Sequence, residues 1–324
     1  MGSGDEVIDY FTYTVSDGSA TDTAQLQITI IGVGNTAPVA RNDVGVIAED
    51  STLSVSDGTN ANVSGSYDAT GEHSGDVINT SSTTHYDTDA DGDTITVTAI
   101  RTGSSEGSGT AGTVGSALTG TYGQLTLNAN GSYSYVANQT AADALDAGDS
   151  VTDSFNYTIS DGTDTDIGTI TITVLGINDD PVAQDDVGVI AEGSTLTVAN
   201  SANANVSGSY DATGEHSGDV IDTSSSSHTD SDADASSSLS ITHVKLSSGS
   251  NSTVASSSSY NSNGTSITGT YGTLTIGADG SYTYAATTDA TDALDAGESA
   301  TDTFVYTLSD AVSYTHLTLP TICS

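Results

Sequence analysis

The chain has very few residues that carry positive charge, form cross-links or supply large aromatic surfaces. Its 324 residues include three Lys and Arg, one Cys and no Trp, against 43 Asp and Glu, and the formal net charge is −40. Neutralising nucleic-acid phosphates requires Lys and Arg, so the composition excludes a nucleic-acid partner. An anionic membrane surface would repel the chain for the same reason, and direct membrane insertion is not expected.

Most of the acidic residues are aspartate, since only seven of them are glutamate. Aspartate favours turns and is a ligand of hard cations, so this bias points to loops and calcium rather than to helices. Two other interpretations are consistent with the composition. The acids could form a solubility surface for saline water, or the chain could be too polar to bury a core.

The hydrophobic pattern favours a folded all-β chain over disorder. Residues 155–159 (FNYTI) and 170–174 (ITITV) alternate apolar and polar side chains, as half-buried antiparallel strands do. Residues 125–135 and 274–284 each predict two short strands joined by a tight Asn-Gly or Asp-Gly turn. A helical pattern is confined to a short turn at residues 141–145.

Internal repeats organise the whole chain. FTYTVSDG at Phe11 returns as FNYTISDG at Phe155 and as FVYTLSDA at Phe304, and NANVSGSYDATGEHSGDVI is identical at residues 60–78 and 203–221. A recurring unit of this kind predicts separately folding domains in a row. The unit is longer than the roughly 100 residues of a plain immunoglobulin-like sandwich. We expect the excess in Ser/Gly/Thr-rich surface loops, including residues 102–119 and 247–266.

The repeat boundaries predict four segments. Residues 1–34 are the C-terminal part of a truncated repeat, 35–177 are a complete repeat, 178–311 are a second repeat without its final strand, and 312–324 are a non-native tail. The tail, VSYTHLTLPTICS, matches nothing in the repeat and resembles a translated sequencing adaptor. Because the only cysteine, Cys323, lies in it, neither disulfides nor thiol catalysis is invoked. No apolar segment typical of a signal peptide lies near Met1.

Several ordered motifs resemble a known family. GTYGTLTIGADGSYTY at 269–284, LDAGDSVTDSFNYTISDG at 145–162 and GINDDPVAQDD at 176–186 are similar to VCBS and cadherin-like tandem repeats of large bacterial surface or secreted proteins, including RTX-type adhesins. The resemblance implies tandem immunoglobulin/cadherin-like β-sandwich domains in an elongated array. It also implies an extracellular or cell-surface location, a structural stalk role in adhesion or biofilm, and calcium at the junctions between neighbouring repeats.

The resemblance also implies which residues hold calcium. At the second junction they are an early glutamate, an LDRE-type element, an acidic linker, a DxD motif and a late aspartate, namely Glu49, Asp146, Asp149, Asn178, Asp179, Asp180, Asp232, Asp234 and Asp310. At the first junction they are Asp5, Asn35, Asp89, Asp91 and Asp161. Calcium needs six to eight oxygens, so acids and amides from both sides of a junction must converge. The first linker has no acid where the second has Asp179 and Asp180, so we expect the first site to be weaker.

Other sites fit less well. An EF-hand-like loop beginning at Asp87 is rejected, because Thr98 stands where the closing glutamate belongs and strands flank the loop. GEHSGD, at 71–76 and 214–219, could suggest a catalytic triad or a zinc site of Glu72, His73 and His85. We interpret it as a duplicated polar loop. No enzyme is predicted, and the alternative function is a carbohydrate-binding module that recognises a glycan or cell-surface receptor.

Overall fold

The structure, a computed structural model, describes residues 4–32, 34–58, 74–78, 85–202, 217–221 and 228–310. Strands account for 42% of the residues and helix for 2%, which confirms the predicted all-β class. The chain divides into two compact units, residues 1–177 and 178–324. The predicted tail from residue 312 onward lies outside the described residues, as do Glu72 and His73. In the part of the chain described, no helix is long and apolar enough to cross a membrane.

The first unit begins with an antiparallel hairpin of β1 (Glu6–Ser16) and β2 (Thr21–Ile31). Every residue of both strands is exposed. Phe11 is 53% exposed, whereas Phe155 at the equivalent repeat position is fully buried. The difference arises because no second sheet among the described residues covers β1 and β2.

Residues 35–177 build the complete sandwich of the first unit. Its elements are β3 (Asp43–Ala48), β4 (Thr52–Val55), β5 (Thr96–Thr102), β6 (Ala111–Gly112), β7 (Leu118–Thr119), β8 (Gln124–Leu127), β9 (Tyr133–Val136), α1 (Thr140–Asp143), β10 (Ser150–Ser160) and β11 (Thr165–Leu175). One sheet has the order β3-β11-β10-β5-β6 and the other β4-β9-β8-β7. All pairs are antiparallel except β3 with β11.

The side chains of β10 and β11, the long strands of this sandwich, point alternately into the core and away from it. On β10 the inward side chains of Phe155, Tyr157 and Ile159 are at most 1% exposed, and they join one hydrophobic cluster with side chains from the other sheet. The rings of Tyr135 on β9 and Phe155 meet edge to face with centroids 6.3 Å apart, a favoured geometry for buried aromatic pairs. The two sheets therefore share one core. Residues 155–159 and 170–174 lie in paired antiparallel strands, as their alternating pattern predicted.

Two details of the prediction were wrong. One of them concerns the length of the connection between β8 and β9. It is a tight turn that contains Asn130-Gly131, as predicted, because Gly131 N–H donates to Asn128 O at 3.1 Å, but a second bond from Asn128 N–H to Ser132 O at 2.9 Å extends it by one residue, with Gly131 at φ +90. Residues 102–119 are not a continuous loop, because they contain β6 and β7. Strands of two residues are too short to show an alternating pattern, although Leu118 is buried.

The second unit repeats this plan with fewer strands. Its elements are β12 (Thr195–Val198), β13 (Ser240–Leu246), β14 (Ser252–Thr253), β15 (Thr265–Thr268), β16 (Thr273–Ile276), β17 (Tyr282–Ala285) and β18 (Phe304–Ser309), so residues 247–266 are also interrupted by strands. The sheets have the orders β12-β17-β16-β15 and β14-β13-β18. Residues 186–191, equivalent to β3, form no strand, because β3 pairs only with β11, for which the described residues of this unit hold no counterpart.

Candidate metal centre

An acidic loop, residues 89–93, precedes β5 in the first unit. Asp89 Oδ1 accepts hydrogen bonds from the backbone N–H of Asp91 at 2.8 Å and of Asp93 at 3.2 Å, which curl the loop around that carboxylate. Gly92 lies at the bend with φ +81, a conformation that glycine adopts without strain. One carboxylate oxygen from each of Asp89, Asp91 and Asp93 lies within 4.8 Å of the other two. We call these three residues the loop cluster.

The linker before the sandwich contacts both the acidic loop and the turn between β10 and β11. Thr36 N–H donates to Asp91 Oδ2 at 2.7 Å and lowers the pKa of that carboxyl. Asn35 Nδ2 donates to Asp161 Oδ2 at 2.9 Å and to Asp164 Oδ2 at 3.0 Å. The amide of Asn35 is the main cause of the lowered pKa of Asp161. Both aspartates are therefore held in the charged form that a cation requires.

Asp93 shows how many negative charges meet in this region. Its pKa is raised by partial removal from water and then by the charges of Asp89, Asp91, Asp161 and Asp5, in that order. Asp5 precedes β1 and is contributed by the residues before the linker. Acids from both sides of the first predicted junction therefore lie close enough, within the first unit, for their charges to act on Asp93.

The donor set fits calcium. Asp89 Oδ2 is buried and accepts no hydrogen bond, so it can serve as a ligand oxygen. The side chains of the loop cluster offer only oxygen, which suits a hard cation, whereas zinc prefers nitrogen and sulfur. Several carboxylates placed this close repel one another unless a cation or protons intervene. The residues at the first predicted site are therefore suited to a calcium ion.

The second unit reproduces part of this arrangement. Asn178 Nδ2 donates to Asp310 Oδ2 at 2.7 Å, and Asp179 N–H donates to Asp234 Oδ2 at 3.0 Å. Asp234 N–H in turn donates to Asp232 Oδ1 at 2.9 Å. Asn178 Oδ1 and Asp232 Oδ2 are buried and accept no hydrogen bond, which leaves two oxygens for a cation.

The second unit differs from the first at two positions around the predicted site. Ser236 stands where the first unit has Asp93, so the described residues of this unit hold no equivalent three-acid group. Asp180, predicted as a ligand in the linker, is exposed. Whether the second site is the tighter one stays a prediction.

The remaining predicted ligands gather at the end of β11 in the first unit. Glu49 is fully buried, and its Oε1 accepts the N–H of Ile177 at 2.5 Å. Asp149 O accepts the N–H of Gly176 at 2.9 Å, and Asp149 N–H donates to Asp146 O at 2.8 Å. These residues belong to the first unit and Asn178 onward to the second, so the structure describes two separate parts of this predicted set.

The same backbone pattern recurs around Asp5. Gly32 N–H donates to Asp5 O at 2.8 Å, and Gly4 N–H donates to Gly32 O at 2.9 Å, which matches the contacts of Asp149 with Gly176. Asp5 is thus the structural counterpart of Asp149, as the repeat alignment predicts. The predicted ligands of the first junction, unlike those of the second, all lie within one unit.

Sequence reasoning missed two acids of the first site and the burial of one motif. Asp93 and Asp164 lie two and three residues beyond predicted ligands, and their short spacing was the available signal. The described end of GEHSGD lies outside helices and strands, in agreement with a polar loop, and Ser74 and Asp76 in it are 0% and 1% exposed. Ser74 N–H donates to Val44 O at 2.9 Å, which fixes the segment against β3. The predicted zinc alternative involves Glu72 and His73, outside the described residues.

Comparison with known proteins supports a cadherin-like sandwich over part of the chain. Residues 35–176 match the family model of the bacterial cadherin-like domain. No curated protein matches the chain.

Two similar solved structures are an endo-fucoidan hydrolase of glycoside hydrolase family 107 and a variant of that enzyme. The enzyme shares 14% identity over 94% of this chain with a TM-score of 0.24, and the variant 15% over 95% with a TM-score of 0.25. The chain spans about a third of the length of those proteins, 32% in both cases. TM-scores this low carry no argument about function.

Proposed function

We propose that the chain is a stalk segment of a bacterial cell-surface or secreted adhesin, stiffened by calcium where one repeat joins the next. The observation that carries the proposal is the meeting of Asp5, the linker residues Asn35 and Thr36, the loop cluster and Asp161 in the first unit. The bacterial cadherin-like match over residues 35–176 supports an extracellular role.

The mechanism follows from electrostatics. In the absence of a cation the carboxylates on the two sides of the linker repel, which favours separation of the repeats. A calcium ion bound by six to eight oxygens from both sides would replace that repulsion by attraction. Affinity in extracellular modules is commonly about 10⁻⁴ to 10⁻³ M, which suits a calcium-rich exterior. The chain's own residues orient the oxygens, and the ion supplies the positive charge.

Calcium titration of the full chain tests the proposal. We expect calcium to raise the melting temperature and to narrow the distribution of maximum dimensions measured by small-angle scattering, and EDTA to reverse both. Magnesium at the same ionic strength is the control, because it demands a smaller octahedral shell and retains its waters. If calcium changes neither quantity more than magnesium does, the stalk proposal is wrong.

A carbohydrate-binding role is the alternative, and one feature favours it. A cleft of about 450 Å³ is lined by small polar residues of β5, β7, β10 and the neighbouring loops, including Thr102, Thr119, Thr152 and Asp153. Its lining contains no aromatic side chain, although apolar and aromatic walls are typical of ligand pockets. Glycan-array binding by the full chain, lost on substitution of Thr152 by a bulky residue, would favour this function. We propose no enzymatic activity.

A further inference from the structure

Each unit buries a second group of acidic side chains, separate from the loop cluster. In the first unit Asp43, Asp76 and Asp87 are 1%, 1% and 4% exposed. Burying ionised carboxylates is unfavourable unless positive charge or hydrogen-bond donors compensate. We call each such group, with its adjacent tyrosine, a buried acidic cluster. The first is Asp43, Asp76 and Asp87 with Tyr157, and the second is Asp230 and the half-buried Asp186 with Tyr306.

Oxygen acceptors outnumber donors around the tyrosine of each cluster. Tyr157 Oη lies 2.6 Å from Asp43 Oδ2, 2.9 Å from Arg41 O and 3.4 Å from Val77 O. A tyrosine hydroxyl has one proton to donate, so it can serve only one of these oxygens at a time. The other oxygens face an environment rich in acceptors, which favours a cation.

The second unit shows the same excess more strongly. Tyr306 Oη lies 2.9 Å from Asp186 Oδ2, 3.0 Å from Gln184 O and 3.2 Å from Val220 O. Both carboxylate oxygens of Asp230 are also near, at 3.4 and 3.3 Å. Five acceptor oxygens from four residues therefore surround one hydroxyl.

Some carboxylate oxygens in these clusters accept no hydrogen bond at all. Asp43 Oδ1 and Asp87 Oδ2 are buried without a hydrogen-bond donor, and the same holds for Asp186 Oδ1. Buried polar atoms normally find a partner, so each of these oxygens needs an explanation such as an ion. Because Asp43 and Asp87 are themselves more than nine-tenths buried, bulk water does not supply that partner.

The electrostatics of Asp43 agree with the geometry. Burial raises the pKa of Asp43 well above its usual range, the hydrogen bond from Tyr157 opposes this, and the charges of Asp87 and Asp76 raise it further. Positive charge is scarce in the chain, whose Lys and Arg residues number three. A cation from solvent is the available source of compensating charge.

We propose that each buried acidic cluster binds a divalent cation of the calcium class inside its own unit, in addition to the ion of the loop cluster. In the first unit the ligands are Asp43 and Asp87, the two carboxylates that act on Tyr157, together with the carbonyl oxygens of Arg41 and Val77. Asp76 is not a third ligand of the same ion, because among the described residues only the loop cluster brings three acidic ligand atoms within 4.8 Å of one another. Calcium accepts such mixed carboxylate and carbonyl shells.

The two sites of one unit are built on different contacts. Thr36 meets Asp91 at the loop cluster, whereas Arg41 N–H donates to Asp87 Oδ1 at 2.7 Å in the buried acidic cluster. The bridge between Val39 and Thr88 separates the two contacts. This inference goes beyond the junction ion, since a buried ion would stabilise a single repeat rather than stiffen a linker.

Direct binding measurements on the full chain test the inference. Calcium bound per chain is measured by equilibrium dialysis for the parent, for Asp43→Asn with Asp186→Asn, and for Asp91→Asn with Asp234→Asn. We expect the first pair of substitutions to remove about two ions per chain, one from each buried acidic cluster, and all four together to remove the sum of both losses. A parent-like stoichiometry for Asp43→Asn with Asp186→Asn would overturn the inference and indicate that the clusters hold protons only.

The same experiment separates this inference from the stalk proposal. If Asp91→Asn with Asp234→Asn removes no calcium while Asp43→Asn with Asp186→Asn does, the junction ion fails and the buried site stands. If instead Asp91→Asn with Asp234→Asn removes calcium while Asp43→Asn with Asp186→Asn does not, the buried-site inference is wrong and the junction ion stands.

A second measurement covers the case in which the buried variants do not fold. Terbium replaces calcium and emits when a nearby tyrosine absorbs light, and the chain has no Trp to compete. In the Asp91→Asn, Asp234→Asn background, we expect calcium-displaceable terbium emission that falls severalfold when Tyr157→Phe and Tyr306→Phe are added. Emission unaffected by the loss of these two tyrosines would contradict an ion beside them.

Discussion

Asn35 donates its side-chain N–H to Asp161 Oδ2 at 2.9 Å, across 126 positions of the chain. The bond ties the linker to the turn between β10 and β11, and Asn178 makes the equivalent 2.7 Å bond to Asp310 in the second unit. Both bonds place an aspartate beside the linker through the protein's own contacts. A calcium ion at these positions would therefore find part of its ligand set already ordered, which lowers the entropy lost on binding.

Asp91→Asn should weaken calcium binding at the first site by at least about tenfold. Changes in the outer shell of a metal site already cost about 10- to 100-fold in affinity, and Asp91 lies inside the loop cluster. The substitution keeps the shape and the oxygen that can accept the N–H of Thr36 but removes the charge. Isothermal titration calorimetry of the full chain measures the effect.

Glu106→Gln is the matched control for Asp91→Asn, because Glu106 is exposed in the loop between β5 and β6. It removes the same unit of charge away from the loop cluster. Equal affinities for the two variants would show that net charge, rather than ligation, governs calcium binding.

Asp5→Asn should lower the calcium affinity of the same site by a smaller factor, about two- to tenfold, with a larger effect at low salt. Its carboxylate acts on Asp93 through space, and it is the acid supplied from before the linker. Asp9→Asn, an exposed aspartate on β1 of the same hairpin, is the control. Indistinguishable affinities for the two variants would indicate that the ion does not join the hairpin to the sandwich.

Much of the fold was predictable because the core strands are long and regular. Residues 155–159 and 170–174 alternate without interruption, and they form β10 and β11 in the central part of the larger sheet. Two-residue strands such as β6 carry too few side chains for a period. The parallel pairing of β3 with β11 depends on distant contacts, and strand periodicity is the same for parallel and antiparallel partners.

Most of the loop cluster could be predicted from the sequence, whereas the buried acidic clusters could not, because folding brings their residues together from distant positions. Asp89 and Asp91 are spaced within one motif, and their grouping with Asn35 and Asp161 follows from the resemblance to cadherin-like repeats. Asp43 and Asp76 gave no such signal, because Asp43 follows Asn42 and Asp76 follows Ser74 and Gly75, which is a composition typical of an exposed turn. Both are buried in the folded chain, and Asp43 accepts a hydrogen bond from Tyr157, 114 positions away, which the linear sequence does not show.

Gly123→Ala should destabilise the first unit by about 1 to 3 kcal/mol, the usual range for overpacking. A Cβ at this position would lie 2.4 Å from Tyr135 Cζ and from Val136 O, neither of which can withdraw freely in the core. Gly34→Ala is the control, since its Cβ would meet nothing within 4 Å. Urea unfolding measures the free energies.

Gly272→Ala makes the corresponding change in the second unit, where a Cβ would lie 2.5 Å from Tyr284 Cζ. If the two units unfold in separate transitions, each substitution should shift only its own. A shift as large for Gly34→Ala would contradict the steric explanation.

Asp302 should make the second unit sensitive to acid. Burial acts to raise the pKa of Asp302, but the hydrogen bond from Tyr284 and those from the N–H groups of Tyr271, Thr270 and Gly272 outweigh it, and the pKa is lowered.

Because the folded pKa lies below the unfolded value of about 3.9, the stabilisation by Asp302 is fully present above that value and is lost as pH falls through the folded pKa. We therefore expect Asp302→Asn to lower the free energy of unfolding by a constant amount above about pH 5 and by a shrinking amount below about pH 4. Asp289→Asn, at an exposed position, shows the effect of losing one carboxylate without these hydrogen bonds. A gap between the parent and Asp302→Asn that stays constant or widens toward acid would contradict the assignment, because it would mean that the charged carboxylate contributes nothing to the stability of the unit.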